Sequence, residues 1–570
     1  MDWNSTDDDG PRVNLAIAKL PAIVPVTDPR YGGLLWLQTG GPGSSGVNFV
    51  LNHGKTVQMI VDSKLDPSDT QYDRSNPPKY YDVLGMDPRG VNNTTPRTSC
   101  FPTLASRNIW MLQSDAEGVI GSSDSSFATM WARAKALGEG CSERVKNSGT
   151  PESKIAFHMN TAPFVQDIVE IIEQHGNWRE RQALWSLVRP ADEWTGELRH
   201  ESRVITNRTK WQKGEERLLY WGLSYGTVVG ATFAAMQPHR VERAVIDAVV
   251  DTTDYYRGEW LTNLQDTDTI LDNFCEYCDK ARPKTCALYT AGGKEKIKQR
   301  FKDICESLKG NPIGVAAHGA LAPDLITYSD LKSRIATALY APLQYWSNLA
   351  ELLVELENRN GTSFAMLKQQ EQQFPAPAPE CHNAPPYTPS CAIPPNGFLE
   401  EMQTAIMCTD GNSTYGISLD AFAEYVAELG NQSWLMGDWW ASVRLGCVGW
   451  NVKPKWRFPG PFTGETAHPM MFVGNMRDPV TPIRNAHEMA SGFPGSAVLA
   501  TEAEGHCVLT APSLCMVKHI REYFQTGRLP EKGTVCEANE KAFVGITDIG
   551  DPGDKELLEQ LRWSARHFFA

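Results

Sequence analysis

The residues best placed to do chemistry are a serine, an aspartate and a histidine, met in that order along the chain. Ser224 sits in the pentapeptide Gly222-Leu223-Ser224-Tyr225-Gly226, the one G-x-S-x-G in the sequence. It directly follows the apolar run Leu218-Leu219-Tyr220-Trp221 and precedes a small-residue, helix-compatible stretch, Thr227 to Met236, that stops at Pro238. A buried strand that turns sharply into a helix exposes its serine at the sheet edge and aims the helix N-terminus at it. Glycines flank such a serine because backbone passes close by and the serine itself is strained. The run Val241 to Val250 reads as the next buried strand, so Ser224 lies in a strand, turn, helix and strand unit. The chemistry implied is nucleophilic acyl transfer, which needs a base for the serine and an acid to hold that base.

Chain order restricts the partners. An acid should follow a late strand, and Asp478 does, in Val473-Gly474-Asn475-Met476-Arg477-Asp478-Pro479. The histidine should follow the next strand, Ala497 to Ala500, and His506 does, in Glu504-Gly505-His506-Cys507. Glu502 and Glu504 are too near His506 in sequence to serve as the acid. His487 falls on the intervening helix, His519 on the helix after the last strand, His468 before the strand of the acid, and His567 in a tail. Upstream, the strand Gly33-Leu34-Leu35-Trp36-Leu37 runs into Gln38-Thr39-Gly40-Gly41-Pro42-Gly43-Ser44-Ser45-Gly46. Acyl transfer builds negative charge on the carbonyl oxygen, and a glycine turn lets backbone N–H groups approach it. A phosphate-binding loop would end in Gly-Lys-Ser/Thr, and no lysine is present; the G-x-G-x-x-G spacing is not met either.

These motifs need a sheet with helices on both faces to position them. Tyr81 to Gly90 reads as a further strand and turn, whose Asp87 and Arg89 could pair. Phe127 to Leu137 and Pro163 to Glu173 read as helices, the second with Phe164, Val165, Ile168, Ile171 and Ile172 on one face. Residues 178–217 are highly charged and read as a solvated surface excursion. From 255 to 462 helical periodicity dominates, as in Leu331 to Leu339 and Leu343 to Leu356, broken by a proline-rich stretch from Phe374 to Pro395. That placement suits a helical cap that excludes water and shapes a pocket. The expected organisation is a first core part at 1–254, the cap at 255–462, a second core part at 463–540 and a tail at 541–570. The fold class is therefore α/β: a mostly parallel sheet of the α/β-hydrolase type with a large, mainly helical cap inserted before the late strands.

Bulk properties exclude other classes. At 570 residues the chain exceeds one compact core, and a net charge of −14 argues against nucleic acid as a partner. No run approaches the ~18 apolar residues of a membrane span. The 13 cysteines suit disulfides, although Cys275-x-x-Cys278 could open a zinc site; the odd total leaves at least one thiol unpaired. Glycosylation sequons stand at Asn4, Asn92, Asn93, Asn207, Asn360, Asn412 and Asn431. Cysteines and sequons lean towards a secreted protein. Met1-Asp2-Trp3-Asn4 is polar and shows no signal peptide, which keeps an intracellular location open.

Four motifs in order, GGPGSSG, DPRGVNNTTPRTSC, YWGLSYGTVVGATFAAMQPHRVERAVIDAVVD and MFVGNMRDPVTP with EGHCVLTAPSLC, carry a resemblance. The chain resembles the tripeptidyl aminopeptidase-like α/β-hydrolases, relatives of proline iminopeptidase. It departs from them in having Gln38-Thr39 before Gly-Gly-Pro-Gly, where the family has Asn-Pro or His. Serine carboxypeptidases share the Leu-Trp-Leu and Gly-Gly-Pro-Gly segment but place an acidic residue before the serine, where this chain has Leu223. The resemblance implies Ser224 as nucleophile, Asp478 as acid and His506 as base. It implies oxyanion donors at the Tyr225 N–H and in the turn, at Gly40 or Gly41. It further implies secretion and removal of short peptides from free N-termini; no cofactor or metal is expected. An exopeptidase holds its substrate's ammonium with carboxylates, normally from the cap; Glu259 and Glu276 are the candidates. An esterase, lactonase or thioesterase would share every core residue and differ in the cap. A non-catalytic binding protein would have no use for an intact Ser, Asp and His.

Overall fold

The computed structural model describes residues 12–150, 154–188, 190, 195–371 and 400–569. Its strands include β1 (Ile17–Leu20), β2 (Tyr31–Gln38), β3 (Tyr80–Met86), β4 (Leu218–Leu223), β5 (Val241–Asp247), β6 (Ile313–Val315), β7 (Asp324–Ile326), β8 (Met471–Arg477), β9 (Ala497–Glu504) and β10 (Val535–Glu537). Eight of them form one sheet in the order β1-β3-β2-β4-β5-β8-β9-β10. Only β1 runs antiparallel, against β3; every other pairing in this sheet is parallel. The pair β6 and β7 forms a small antiparallel hairpin within the 255–462 region, which periodicity did not foretell.

The central strands carry apolar residues on both faces because both faces of a parallel sheet are covered. Leu34 and Trp36 of β2 enter one core, and Leu35 and Leu37 enter the other. Helices Gly46–Val61, Leu514–Thr526 and Lys555–Arg566 cover the second face. Helices Thr161–Ser186, Tyr225–Met236 and Ile483–Ser491 cover the first, and the core there continues without a break into the helical insertion. This is the α/β-hydrolase fold.

The insertion forms helices because its apolar residues recur every three or four positions and its ends are marked. Thr327 caps helix Tyr328–Tyr340 reciprocally with Asp330, and Pro342 opens the next helix, which buries Trp346, Leu349, Leu353 and Leu356. Helices Leu104–Glu117 and Ser126–Asn147 pack against the same insertion. Arg107 is ion-paired with Glu401 at 2.8 Å, both side chains buried, and Phe127 stacks on Phe422. The proline-rich stretch lies outside the described residues.

Several expectations change. Residues 541–570 are more than a tail: the Lys555–Arg566 helix buries Leu557, Leu558, Leu561 and Ala565 at helical spacing against the sheet's second face. Asp87 and Arg89 do not pair. Asp87 accepts from the Ser45 hydroxyl (2.6 Å) and the Val47 N–H (3.1 Å) at the start of the Gly46–Val61 helix, while Arg89 is held by Asp167. The excursion at 178–217 is largely helical and ends stapled to the core, where Glu173 binds Arg240 and Glu216 binds Arg179.

Disulfides link Cys100 to Cys141, Cys278 to Cys286, Cys408 to Cys447 and Cys515 to Cys536. Cys278 is thus unavailable to a zinc site opened by Cys275, and Cys275, Cys305 and Cys507 are buried free thiols. Cys381 and Cys391 lie outside the described residues. Of the sequons, Asn92 is buried and donates to the Gly43 carbonyl, so it cannot carry a glycan; Asn93, Asn207, Asn360, Asn412 and Asn431 are exposed. Asn4 is outside the described residues. No helix among those described is long and apolar enough to cross a membrane.

Candidate active site

The carboxyl ends of β2, β4, β8 and β9 deliver the site. At the end of β4, Ser224 has φ 57° and ψ −121°, a conformation that a residue with a Cβ holds only when its surroundings impose it. Its N–H donates to the Asp247 carbonyl (2.9 Å), and its own carbonyl accepts from the Thr227 N–H and hydroxyl. A Cβ on Gly226 would stand 2.5 Å from the Gln38 carbonyl, so the elbow can pack against the end of β2 only with glycine there. A Cβ on Gly40 would stand 2.9 Å from the Ser224 hydroxyl. Gly40, at the start of the turn, therefore lies directly against the nucleophile candidate.

Asp478 follows β8 and is fully buried. One carboxylate oxygen accepts from the Val480 and Thr481 N–H groups at 3.0 and 2.8 Å, and the other from the Cys507 N–H at 3.3 Å. Both lie within 3.0 Å of His506 Nδ1. That contact fixes the imidazole with Nδ1 towards the acid and Nε2 directed away from it. His506 is held from three further sides. Its N–H donates to the Tyr340 carbonyl at 2.8 Å, its ring lies edge-on to the Tyr340 ring at 4.9 Å, and Asn475 donates to the carbonyls of Gly505 and Cys507. Glu502 and Glu504, set aside as acids, are both engaged by Arg477.

The backbone N–H groups of Gly40, Gly41 and Tyr225 have no hydrogen-bond acceptor among the described residues. For Tyr225 the reason is its place as first residue of a helix, where no intrahelical acceptor exists. The Gly41 carbonyl is taken by Gln403 from the insertion, so the cap itself braces the turn.

Ser224 and His506 line one cavity of about 1330 Å³ together with Gly40, Gly41 and side chains from the insertion. Glu259 and Glu276 do not reach it. Glu259 is exposed beyond the end of helix Thr252–Arg257. Helix Thr267–Ala281 turns Ile270, Leu271, Phe274 and Cys278 inward, which leaves Glu276 outside, paired with Lys280 and Lys294. The carboxylates lining the cavity are instead Asp115, Asp330 and Glu371. Asp330 pairs with Lys368 and Glu371 with Arg334. Asp115 has no ion pair among the described residues, and burial together with the nearby Asp330 raises its pKa.

Two further buried acids lie beside the site. Asp247 accepts from the Val508 N–H (3.0 Å) and the Trp221 indole (3.2 Å), tying the elbow strand to the loop of His506; burial pushes its pKa up to about 7. Asp410, at the end of insertion helix Glu400–Asp410, accepts from Thr161 and from the Tyr255 hydroxyl, and Thr161 in turn contacts the Tyr225 hydroxyl. Burial raises Asp410 to about 6. An acidic residue closing an apolar strand was the available hint for Asp247.

The chain is similar to several known proteins. Residues 433–536 match the family described as TAP-like protein. A tripeptidyl aminopeptidase of Streptomyces lividans is 24% identical over 532 residues, covering 92% of this chain and 80% of its own. The serine protease Hip1 of Mycobacterium tuberculosis is 23% identical over 93% of this chain and 84% of its own length. Among solved structures, a meta-cleavage product hydrolase from Pseudomonas fluorescens aligns over 86% of this chain and 85% of its own, at 9% identity and a TM-score of 0.25. The resemblance to the tripeptidyl aminopeptidase-like hydrolases thus extends over nearly the whole chain, and the chain is an enzyme of the serine hydrolase kind.

Proposed function

We propose that the protein is an exported exopeptidase that cleaves short peptides or residues from peptide N-termini through an acyl-enzyme on Ser224. The observation that carries this reading is the strained Ser224 elbow opening onto the same cavity as a histidine held by a buried aspartate. His506 Nε2 takes the Ser224 proton as the oxygen attacks the substrate carbonyl carbon. The carbonyl oxygen gains the electron pair, and the unpaired N–H groups of Tyr225 and of Gly40 or Gly41 serve as its donors. On collapse the C–N bond breaks, and His506 delivers the same proton to the departing amine. Water then repeats the sequence in reverse and frees the acyl product. Asp478 holds the imidazole in place and supports the imidazolium.

Asp115 is the carboxylate open to a substrate ammonium, in place of Glu259 and Glu276. Four disulfides and the exposed sequon asparagines support export. The failure of both expected cap carboxylates to reach the cavity favours a second reading, an esterase, lactonase or thioesterase on an uncharged acyl substrate. A panel of aminoacyl and tripeptidyl amides against simple esters separates the two. The exopeptidase reading expects amide cleavage that needs a free N-terminus, with KM raised for those substrates alone in Asp115→Asn. Ester cleavage with no amide cleavage would overturn it.

A further inference from the structure

The wall beside His506 is built from residues far apart in sequence. Beyond the Lys555–Arg566 helix, Phe568 packs its ring on Phe49 (5.7 Å) and His53 (5.6 Å). Phe569 then contacts Phe568 at 4.9 Å and Tyr340 at 6.0 Å, and Tyr340 contacts His506. Phe49, Leu51, Tyr340, Phe568 and Phe569 all line the cavity that contains Ser224. The helix that presents the two phenylalanines is firmly seated. Four of its apolar side chains are buried, Arg562 and Arg566 bind Glu540, Gln560 binds Thr56 at 2.7 Å, and Ser564 contacts His53 at 3.2 Å. Phe569 is nevertheless 45% exposed, and Leu51 is 71% exposed. Seated phenylalanine rings bordering a reaction cavity offer apolar area to whatever enters it, as ligand pockets do.

Which part of a substrate meets this wall follows from the chemistry. The imidazole must reach the leaving atom to protonate it, so the leaving group lies on the His506 side of the scissile bond. We propose that Tyr340, Phe568 and Phe569 form a leaving-group subsite for an apolar, preferably aromatic, group immediately after the scissile acyl bond. The subsite rests on the serine hydrolase reading and adds to it a selectivity for the departing half. For a peptide substrate that half is the residue after the cleaved bond; for an ester it is the alcohol.

The test compares substrates that share one acyl part and differ only in the leaving half. The pairs are a peptide bond to phenylalanine against one to glycine, and a benzyl ester against a methyl ester. The wild type should favour the aromatic leaving half by about tenfold in kcat/KM, the scale of a modest apolar contact. Phe569→Ala should bring that ratio near one, and Phe569→Tyr should restore it. Full labelling of Ser224 by a fluorophosphonate in each variant shows that it is folded with a competent nucleophile. Labelled wild type with no leaving-group preference, or a preference that survives Phe569→Ala, overturns the subsite and leaves the serine hydrolase reading standing. A folded wild type that neither labels nor turns over removes both.

Discussion

The corner that holds Ser224, Asp478 and His506 and the wall around it are built on different principles. At the corner, each side chain hangs from the end of a strand in one sheet, and backbone groups from Val480, Thr481, Cys507 and Tyr340 hold the acid and the histidine. The surrounding wall is assembled from helices Leu104–Glu117, Tyr328–Tyr340, Thr362–Glu371, Glu400–Asp410 and the residues after Lys555–Arg566. Those pieces are joined by side chains, among them the Arg107–Glu401 pair and the Tyr340–Phe569 contact. The proposed chemistry would thereby be set by backbone geometry, and the proposed selectivity by side-chain contacts.

Substitutions sharpen the contrast. At the corner, His506→Ala should lower kcat by about a million-fold, because members of such a set act as a unit. Asp478→Asn should keep the fold and lower kcat by about ten-thousand-fold through the wrong imidazole tautomer. Gly40→Val tests the turn. Its Cβ would intrude to 2.6 Å from Ser224 Cβ, and loss of that alignment should cost about a hundred-fold in kcat. Wild-type turnover in any of the three would place the chemistry elsewhere.

At the wall, stability should change more than chemistry. Glu401→Ala leaves buried Arg107 unpaired and should destabilise the protein by about 3–5 kcal/mol in chemical denaturation. A smaller effect comes from pH at the seat of the Phe568 ring. Burial pushes His53 down to about 4, whereas the unfolded chain ionises near 6.5. The unfolded state binds the extra proton, so this contribution is complete above pH 6.5 and lost as pH falls to 4 and below. Its size is at most about 3 kcal/mol. His53→Gln should flatten the acid side of the stability profile, and an unchanged slope would show that other groups set it.

The corner was also the part most legible in sequence. Continuous apolar runs mark β2, β4, β5, β8 and β9, and the order of Ser224, Asp478 and His506 identified three residues that the fold brings together or to one cavity. Asn475, Asp247 and Tyr340 escaped notice because their partners lie 26 to 261 residues away and no local pattern demands them. Glu276 was misplaced although a local pattern existed. Phe274 and Cys278 define the buried side of its helix, and a residue two positions from each must face out. The Lys555–Arg566 helix was missed in the same way, with Leu557, Leu558 and Leu561 already at helical spacing.

The central claim, that backbone geometry at the elbow makes Ser224 the nucleophile, is most directly tested by fluorophosphonate labelling with the adduct located by peptide mass spectrometry. The account predicts one phosphonylated residue, Ser224, with labelling abolished in Ser224→Ala and strongly slowed in His506→Ala. A folded wild-type protein that stays unlabelled, or an adduct on any other serine, would contradict it.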